Sequence, residues 1–285
     1  MDPDTLVGDM GALVSLPEVV VRINELVDDP TSSAEDIGRA VQQDPALTTR
    51  LLTLANSAMF GLSRKVDTIG RAIALLGTRQ VRDLTLGLSA ARTFAGIPNE
   101  LVSMESFWHH STLCAVSARA LANQCSRGRP DSSFVAGLLH DVGQLVLFNK
   151  LPHESSAALL MSIDEPNEPE LYLCERELIG FDHAAVGGAL ARRWHLPAAL
   201  AESIEFHHEP ARAQRHPLDV AIVHIANSLA ALIEIDSLEY EDAAPIAPVA
   251  WEVTGLKRED VLGLVADTRS AVDEAKRLLQ LPGMH

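Results

Sequence analysis

Apolar residues recur at three- and four-residue intervals along almost the whole chain, the period of helices with one buried face. In SLPEVVVRINELVDDP, Val20, Ile23 and Val27 share a face, and Pro17 suits a first helical position. SSAEDIGRAVQQ offers Ser32 and Glu35 as a capping box. DPALTTRLLTLANSAMFG opens on Asp44 as cap with Pro45 behind it, spaces Leu51, Leu54, Ala55 and Ala58 for a core, and ends near Gly61. Asn56 and Ser57 read either as cap and turn residues or as part of an effector or inter-lobe surface. Thr68 and Thr78 read as further caps, with Gly77 between two helices. No alternating strand run, internal repeat or low-complexity tract interrupts the pattern, which predicts an all-α chain.

A softer stretch, AGIPNELVSME at 95–105, separates an N-terminal helical lobe (1–100) from a second one (101–285). The second lobe opens with a helix near 104–126 and a loop at SRGRPD. Asp131 then reads as the cap of the helix that carries His140. DEPNEPE (164–170) is a loop, Asp182, Pro197 and Pro217 begin further helices, EYEDAAPIAPV is a turn-rich connection, and 258–280 is a terminal helix.

Composition narrows the function classes. The chain has 285 residues, 47% of them hydrophobic and 22% charged, which suits a soluble globular protein. Aromatics are only 4%, so its core rests on Leu, Ile, Val and Ala. A net charge of −16 argues against phosphate-driven binding to nucleic acid and against anionic membrane surfaces. Arg64-Lys65 and Arg192-Arg193 are small basic exceptions. Cys114, Cys125 and Cys174 are scattered without a Cys-x-x-Cys, which suits a reducing, cytoplasmic setting. The N-terminus lacks a signal-peptide layout, and no uninterrupted apolar run reaches the ~18 residues of a membrane span.

Polar residues on apolar faces carry the chemistry. GLLHDVGQL (137–145) reads as one continuous helix covered by Val135, Leu138, Leu139, Val142, Leu145, Val146 and Leu147. A helix apolar all round is a central one, and Asp141 is costly there without a cation or several donors. On such a helix His140 and Asp141 point about 100° apart. His110 lies mid-stripe with Phe107, Leu113, Cys114 and Leu121, with His109 at the edge. His183 shares a face with Gly187, Leu190 and Trp194. His207 and His208 both trail Leu200 and Ile204, and spacing does not choose between them. Asn227 lies with Val220, Val223, His224 and Ala231. No Lys or Arg is expected on these apolar faces to neutralise Asp141. A lone histidine in such a place is normally a hydrogen-bonded core residue. Several of them with a His-Asp pair are the ingredients of a transition-metal site in a helical bundle.

GLLHDVGQL resembles the His-Asp motif of the HD superfamily of metal-dependent phosphohydrolases. SLPEVVVRINELVDDP, QQDPALTTRLLTLANSAMFGLSRKVDTIGRAIALLG and FDHAAVGGALARRWHLP resemble the HDOD family, the HD-related output domain of bacterial signalling proteins. The likeness runs from about Leu16 to near residue 280. It implies an all-helical fold, an N-terminal lobe packed on an HD-like lobe, and a role in bacterial signal transduction, often near cyclic-dinucleotide networks. Many members add a receiver domain, for which this length leaves no room. By the resemblance His110, in WHHS, is the first HD histidine, and His140 and Asp141 are the central pair. His183 and one of His207 or His208 match the extra ligands of binuclear relatives. Asn227, in VHIANSLA, stands where the motif closes on an aspartate, and a neutral amide is a weaker ligand. Gln144 replaces a common lysine. His207-His208-Glu209 keeps the HHE of cyclic-di-GMP hydrolysing relatives, but HHEPARAQRHPL lacks their Gly-Tyr-Pro stretch.

The resemblance and its departures together imply a non-catalytic module that binds a signalling protein or a small effector. The alternative is a metal-dependent phosphohydrolase or phosphodiesterase. A degenerate site of His110, His140, Asp141, His183, His207, His208 and Asn227 would take a divalent Zn, Fe, Ni, Mn or Mg. Serine-nucleophile, P-loop and dinucleotide fingerprints are absent.

Overall fold

Local hydrogen bonds decide where the N-terminal helices start. The computed structural model describes residues 1–11, 15–61, 65–94, 101–164, 170–237 and 245–279, and all regular structure among them is helical. The first six helices are α1 (Pro3–Gly8), α2 (Glu18–Asp28), α3 (Ala34–Gln42), α4 (Pro45–Ala55), α5 (Ile69–Leu76) and α6 (Thr78–Thr93). Pro17 is the cap of α2 rather than its first residue. The α3 capping box is Ser33–Asp36, one residue beyond the expected Ser32–Glu35. The Ser32 amide is already bound to the Asp29 carbonyl in the turn after α2, so the helix starts one residue later. Asp44 caps α4 through the amides of Ala46 and Leu47, as expected. Thr68 caps α5, but Thr78 is inside α6. Gly77, at φ 90°, both ends α5 and opens α6, a conformation that favours glycine.

The Asn56 side chain resolves the open reading of that position in favour of structure. Its amide donates to the carbonyls of Leu52 and Val66, and its oxygen accepts the Val66 N–H, each at 2.7 Å. Leu51, Leu54 and Ala55 are fully buried, as their spacing requires.

The remaining helices are α7 (Met104–Gln124), α8 (Pro130–Leu139), α9 (Val142–Lys150), α10 (Pro152–Asp164), α11 (Leu171–Ile179) and α12 (His183–Arg193). They continue as α13 (Ala198–Phe206), α14 (Pro217–Glu234), α15 (Pro248–Thr254), α16 (Arg258–Gly263) and α17 (Val265–Leu279). The expected terminal helix is thus broken at Leu264. Asp131 does not cap α8. It is buried in the first turn and ion-paired to Arg119 of α7, so an apolar helix face does carry an arginine. Charge pairing keeps that guanidinium with Asp131 and away from Asp141. Residues 95–100, 165–169 and 238–244, which hold much of three expected connections, lie outside the described residues.

One continuous hydrophobic cluster runs from Leu6 to Leu279. α7 and α8 pack closely, because Gly137 sits where a Cβ would come within 2.8 Å of the Cys114 carbonyl oxygen. α6 joins the N-terminal helices to α8, α1 packs on α12, and α17 packs on both α7 and α4. α14 is long and apolar enough to cross a membrane by length and composition, and 67% of that window is buried inside the protein.

Candidate metal centre

The predicted apolar helix around His140 is in fact two. α8 stops at Leu139 and α9 starts at Val142, with His140 and Asp141 at the break. The break lets the two side chains face the same point instead of diverging by about 100°. It also lays α9 on α12 backbone to backbone: a Cβ on Gly143 would stand 1.9 Å from the His183 carbonyl oxygen. Asp141 occupies the cap position of α9 without making a side-chain cap bond, so its carboxylate is left for the histidines.

Three histidines are held by their outer nitrogen. His140 Nδ1 donates to the Gly137 carbonyl and His207 Nδ1 to the Ile204 carbonyl, both at 2.8 Å. His183 Nδ1 donates to Glu175 Oε2 at 2.6 Å, and the His183 amide donates to the same oxygen at 2.8 Å. A donating outer nitrogen turns Nε2 inward, the orientation of metal-binding histidines. Nε2 of His183 and of His207 lie 3.2 and 3.5 Å from Asp141 Oδ1, and Nε2 of His140 lies 3.3 Å from Oδ2. His208 Nε2 lies 2.9 Å from His183 Nε2, so both His207 and His208 reach the cluster. His110 is at the margin, with Nε2 3.8 Å from Asp141 Oδ2.

The donor set fits a divalent ion. Nε2 of His140, Nε2 of His207 and Oδ1 of Asp141 are buried with no hydrogen-bond partner, a costly state that a cation would relieve. One atom from each of Asp141, His183, His207 and His208 falls within a 4.8 Å sphere of mutual separation, and so does one from each of His110, His140 and Asp141. Asp141 belongs to both groups. Asn227 Oδ1 lies 2.9 Å from His110 Nε2, beside the second group. Imidazole-rich donors suit Zn, Fe or Ni better than Mg.

Burial and neighbouring charge compete within the cluster. Burial opposes the Asp141 charge, yet His140 beside it holds the carboxyl well below the ordinary range. Burial would also depress His183, but Glu175 overrides it and lifts the imidazole to about 10. His207 has no such counter-charge strong enough, and burial pushes it down to about 4.

Some positioning residues escape sequence reasoning. Glu175 is 1% exposed, one turn beyond Leu171 and beside buried Cys174, so its place on an apolar face was the available signal. His224 donates from Nδ1 to the His207 carbonyl and accepts the Ala247 N–H at Nε2, pinning the chain just after α13. Arg176 bridges Asp182, the cap of α12, and Glu209, which follows His208. Glu234 Oε2 accepts from His110 Nδ1 at 2.9 Å.

Residues 13–210 match the HDOD domain model. The chain belongs to the HDOD family. A solved HDOD domain protein of unknown function from Geobacter sulfurreducens is 26% identical, covers 97% of each chain and superposes with a TM-score of 0.71. A provisionally named phosphohydrolase from Shewanella amazonensis has a TM-score of 0.72 over 96% of this chain and 97% of its own. At 23% identity that likeness speaks for the HD-like helical fold alone. An uncharacterized protein of Treponema pallidum (strain Nichols) is 29% identical over 214 residues, 74% of this chain. The HDOD chain spans only 41% of that relative's length.

Proposed function

We propose that this HDOD chain is a non-catalytic module of bacterial signal transduction that binds a partner protein or a small effector. The observation that carries the reading is Asn227. It stands where the resemblance places the closing aspartate of HD enzymes, and its neutral oxygen lies 2.9 Å from His110 Nε2, where a carboxylate would bring a negative charge. Gln144 in place of the usual lysine supports the same reading. The fold does not decide function, which rests on the site.

Asp141, His183, His207 and His208, with His140 beside them, are the residues that would hold a divalent ion. Such an ion supplies a positive field that activates water and stabilises phosphoryl charge. The chain's own contribution is orientation: Glu175 and the carbonyls of Gly137 and Ile204 keep three imidazoles turned inward. Asn227 contributes no negative charge beside them. For a small effector, a separate cavity of about 440 Å³ lined in part by Arg79, Arg82, Asp83, Arg129 and Ser132 has a suitable size. In this reading the module works in the cytoplasm, away from membrane and nucleic acid.

Turnover is the test. The purified chain, supplied with Mn, Fe, Zn or Mg, is assayed against cyclic dinucleotides, nucleoside phosphates and an aryl phosphodiester. Absent or feeble hydrolysis is expected. Robust hydrolysis that disappears in Asp141→Ala would establish the alternative, a metal-dependent phosphohydrolase.

A further inference from the structure

The chain has 39 Asp and Glu residues against 23 Lys and Arg, so carboxylates for pairing are plentiful. Two arginines around one cavity nevertheless go without. The cavity, of about 260 Å³, lies between the start of α2, the N-terminal half of α4 and the last turns of α6. Arg50 of α4 and Arg92 of α6 line it together with Asp44, Ser89 and Thr93. Neither guanidinium has a hydrogen bond or an ion pair among the described residues. Burial pushes Arg50 below the ordinary arginine range, and the like charge of Arg92 pushes it the same way. The two cations therefore share one space and repel each other across it.

Local structure accounts for only part of this arrangement. Arg92 sits in the last turn of α6, where the helix dipole favours a cation. Arg50 is half-buried in the middle of α4, and a partly desolvated charge without a partner is costly. Asp44 is the carboxylate of the lining, but its Oδ1 is committed to the amides of Ala46 and Leu47, which it caps. The Thr93 hydroxyl donates to the Ser89 carbonyl at 3.2 Å. The Ser89 hydroxyl is different. Ser89 is only 5% exposed, yet its hydroxyl makes no hydrogen bond among the described residues and is not sealed from the cavity. Two guanidinium forks and one hydroxyl are thus free to donate to a common acceptor.

We propose that Arg50, Arg92 and Ser89 form a binding site for a phosphoryl group. A doubly charged tetrahedral oxyanion matches two guanidiniums in charge and offers each fork a pair of oxygens. A carboxylate would neutralise only one of them. The cavity is smaller than the roughly 300 Å³ at which ordinary small-molecule sites begin, so it encloses the phosphoryl group and not a whole nucleotide. Asp44 also lines a neighbouring cavity of about 610 Å³ beside α2, which has room for the remainder of a phosphate ester. The 440 Å³ cavity is a poorer phosphate site, because Arg82 and Arg129 there already hold carboxylates. The phosphoryl site depends neither on metal at Asp141 nor on the absence of turnover there.

The full chain is first stripped with chelator, so that the Asp141 cluster cannot hold phosphate through an ion. It is then titrated by calorimetry with inorganic phosphate and with adenosine monophosphate at low salt. The expected result is saturable binding of one phosphate per chain, with a thermal midpoint that rises with phosphate concentration. Arg50→Gln and Arg92→Gln each weaken binding about tenfold or more, and Ser89→Ala weakens it by less. Arg193→Gln removes the same charge from an exposed position on α12 and leaves affinity as it was. Thermal midpoints in phosphate-free buffer show which variants fold. Arg50→Lys keeps the charge without the fork, weakens binding too, and serves if Arg50→Gln does not fold. Tighter binding of adenosine monophosphate than of phosphate identifies an ester as the ligand, and the reverse identifies the free ion. No saturable binding of either probe at millimolar concentration, or binding that the arginine variants leave intact, overturns the proposal. The signalling role is decided separately, by the turnover assay.

Discussion

Glu175 shows how a single buried carboxylate sets the chemistry of a residue eight positions away. It receives both the amide and the Nδ1 proton of His183, so that Nε2 faces Asp141. Glu175→Gln keeps an acceptor but removes the charge, and should lower affinity for Zn²⁺ roughly 10–100-fold in calorimetry. A second prediction concerns Asp36. Hydrogen bonds from the Ser33 hydroxyl and amide, and then Arg39, bring its pKa from 3.8 to about 2. The folded value lies below the unfolded one, so the box stabilises α3 fully above about 3.8 and loses that contribution as pH falls through about 2. A carboxylate-resolved NMR titration should show the low midpoint, and Ser33→Ala should move it back up. The capping chemistry was legible in SSAEDIGRAVQQ, but its register was not. Two serines are adjacent, and a tertiary-neutral detail, the Ser32 amide bonded to Asp29, selects the second.

At the scale of elements, the decisive feature is the break between α8 and α9. Hydrophobic spacing from Val135 to Leu147 continues through it, so periodicity reads one helix where there are two. Two glycines beside the break bring the helix backbones close. Gly137 meets α7 at the Cys114 carbonyl, and Gly143 meets α12 at the His183 carbonyl. Gly143→Ala would place a methyl carbon 1.9 Å from that oxygen and 2.6 Å from the Gly187 amide nitrogen, both backbone atoms. Neither can rotate away, so α9 and α12 must separate. Urea denaturation should show a loss of at least about 1–3 kcal/mol, the usual cost of overpacking. Metal affinity should fall as well, because the same helices carry Asp141 and His183. A variant as stable as the parent would mean that this helix contact is looser than described.

For the whole molecule, a charge of −16 and one continuous core set the terms. Arg119 pairs with Asp131, Arg82 with Asp28 and Asp83, and Arg129 with Asp219, so several of the few cations are already spoken for. Nucleic-acid affinity needs cations free to displace counterions from phosphates. The protein should therefore fail to retard mixed-sequence duplex or single-stranded DNA at about 0.15 M salt, where non-specific binding is already weak. Tight retardation that weakens steeply with added salt would refute this. The core also crosses the stretch at 95–105 where the composition softens: α1 lies on α12 and α17 on α4.

The helical class and the family were readable from the chain alone, and so were nearly all residues that the structure gathers around Asp141. Helical periodicity and capping arise from contacts within about four residues, and burial of a His or Asp on an apolar stripe is itself a local pattern. Local patterns say that a polar group is buried, not what it meets. That His207 and His208 both converge on Asp141, that Glu175 orients His183, and that Glu234 and Asn227 clasp His110 depends on helices far apart in the sequence. Their approach is set by backbone contacts such as Gly143 against His183, which no single helix encodes. The identity of the candidate donors is therefore a property of the sequence, and their convergence on Asp141 is a property of the packing.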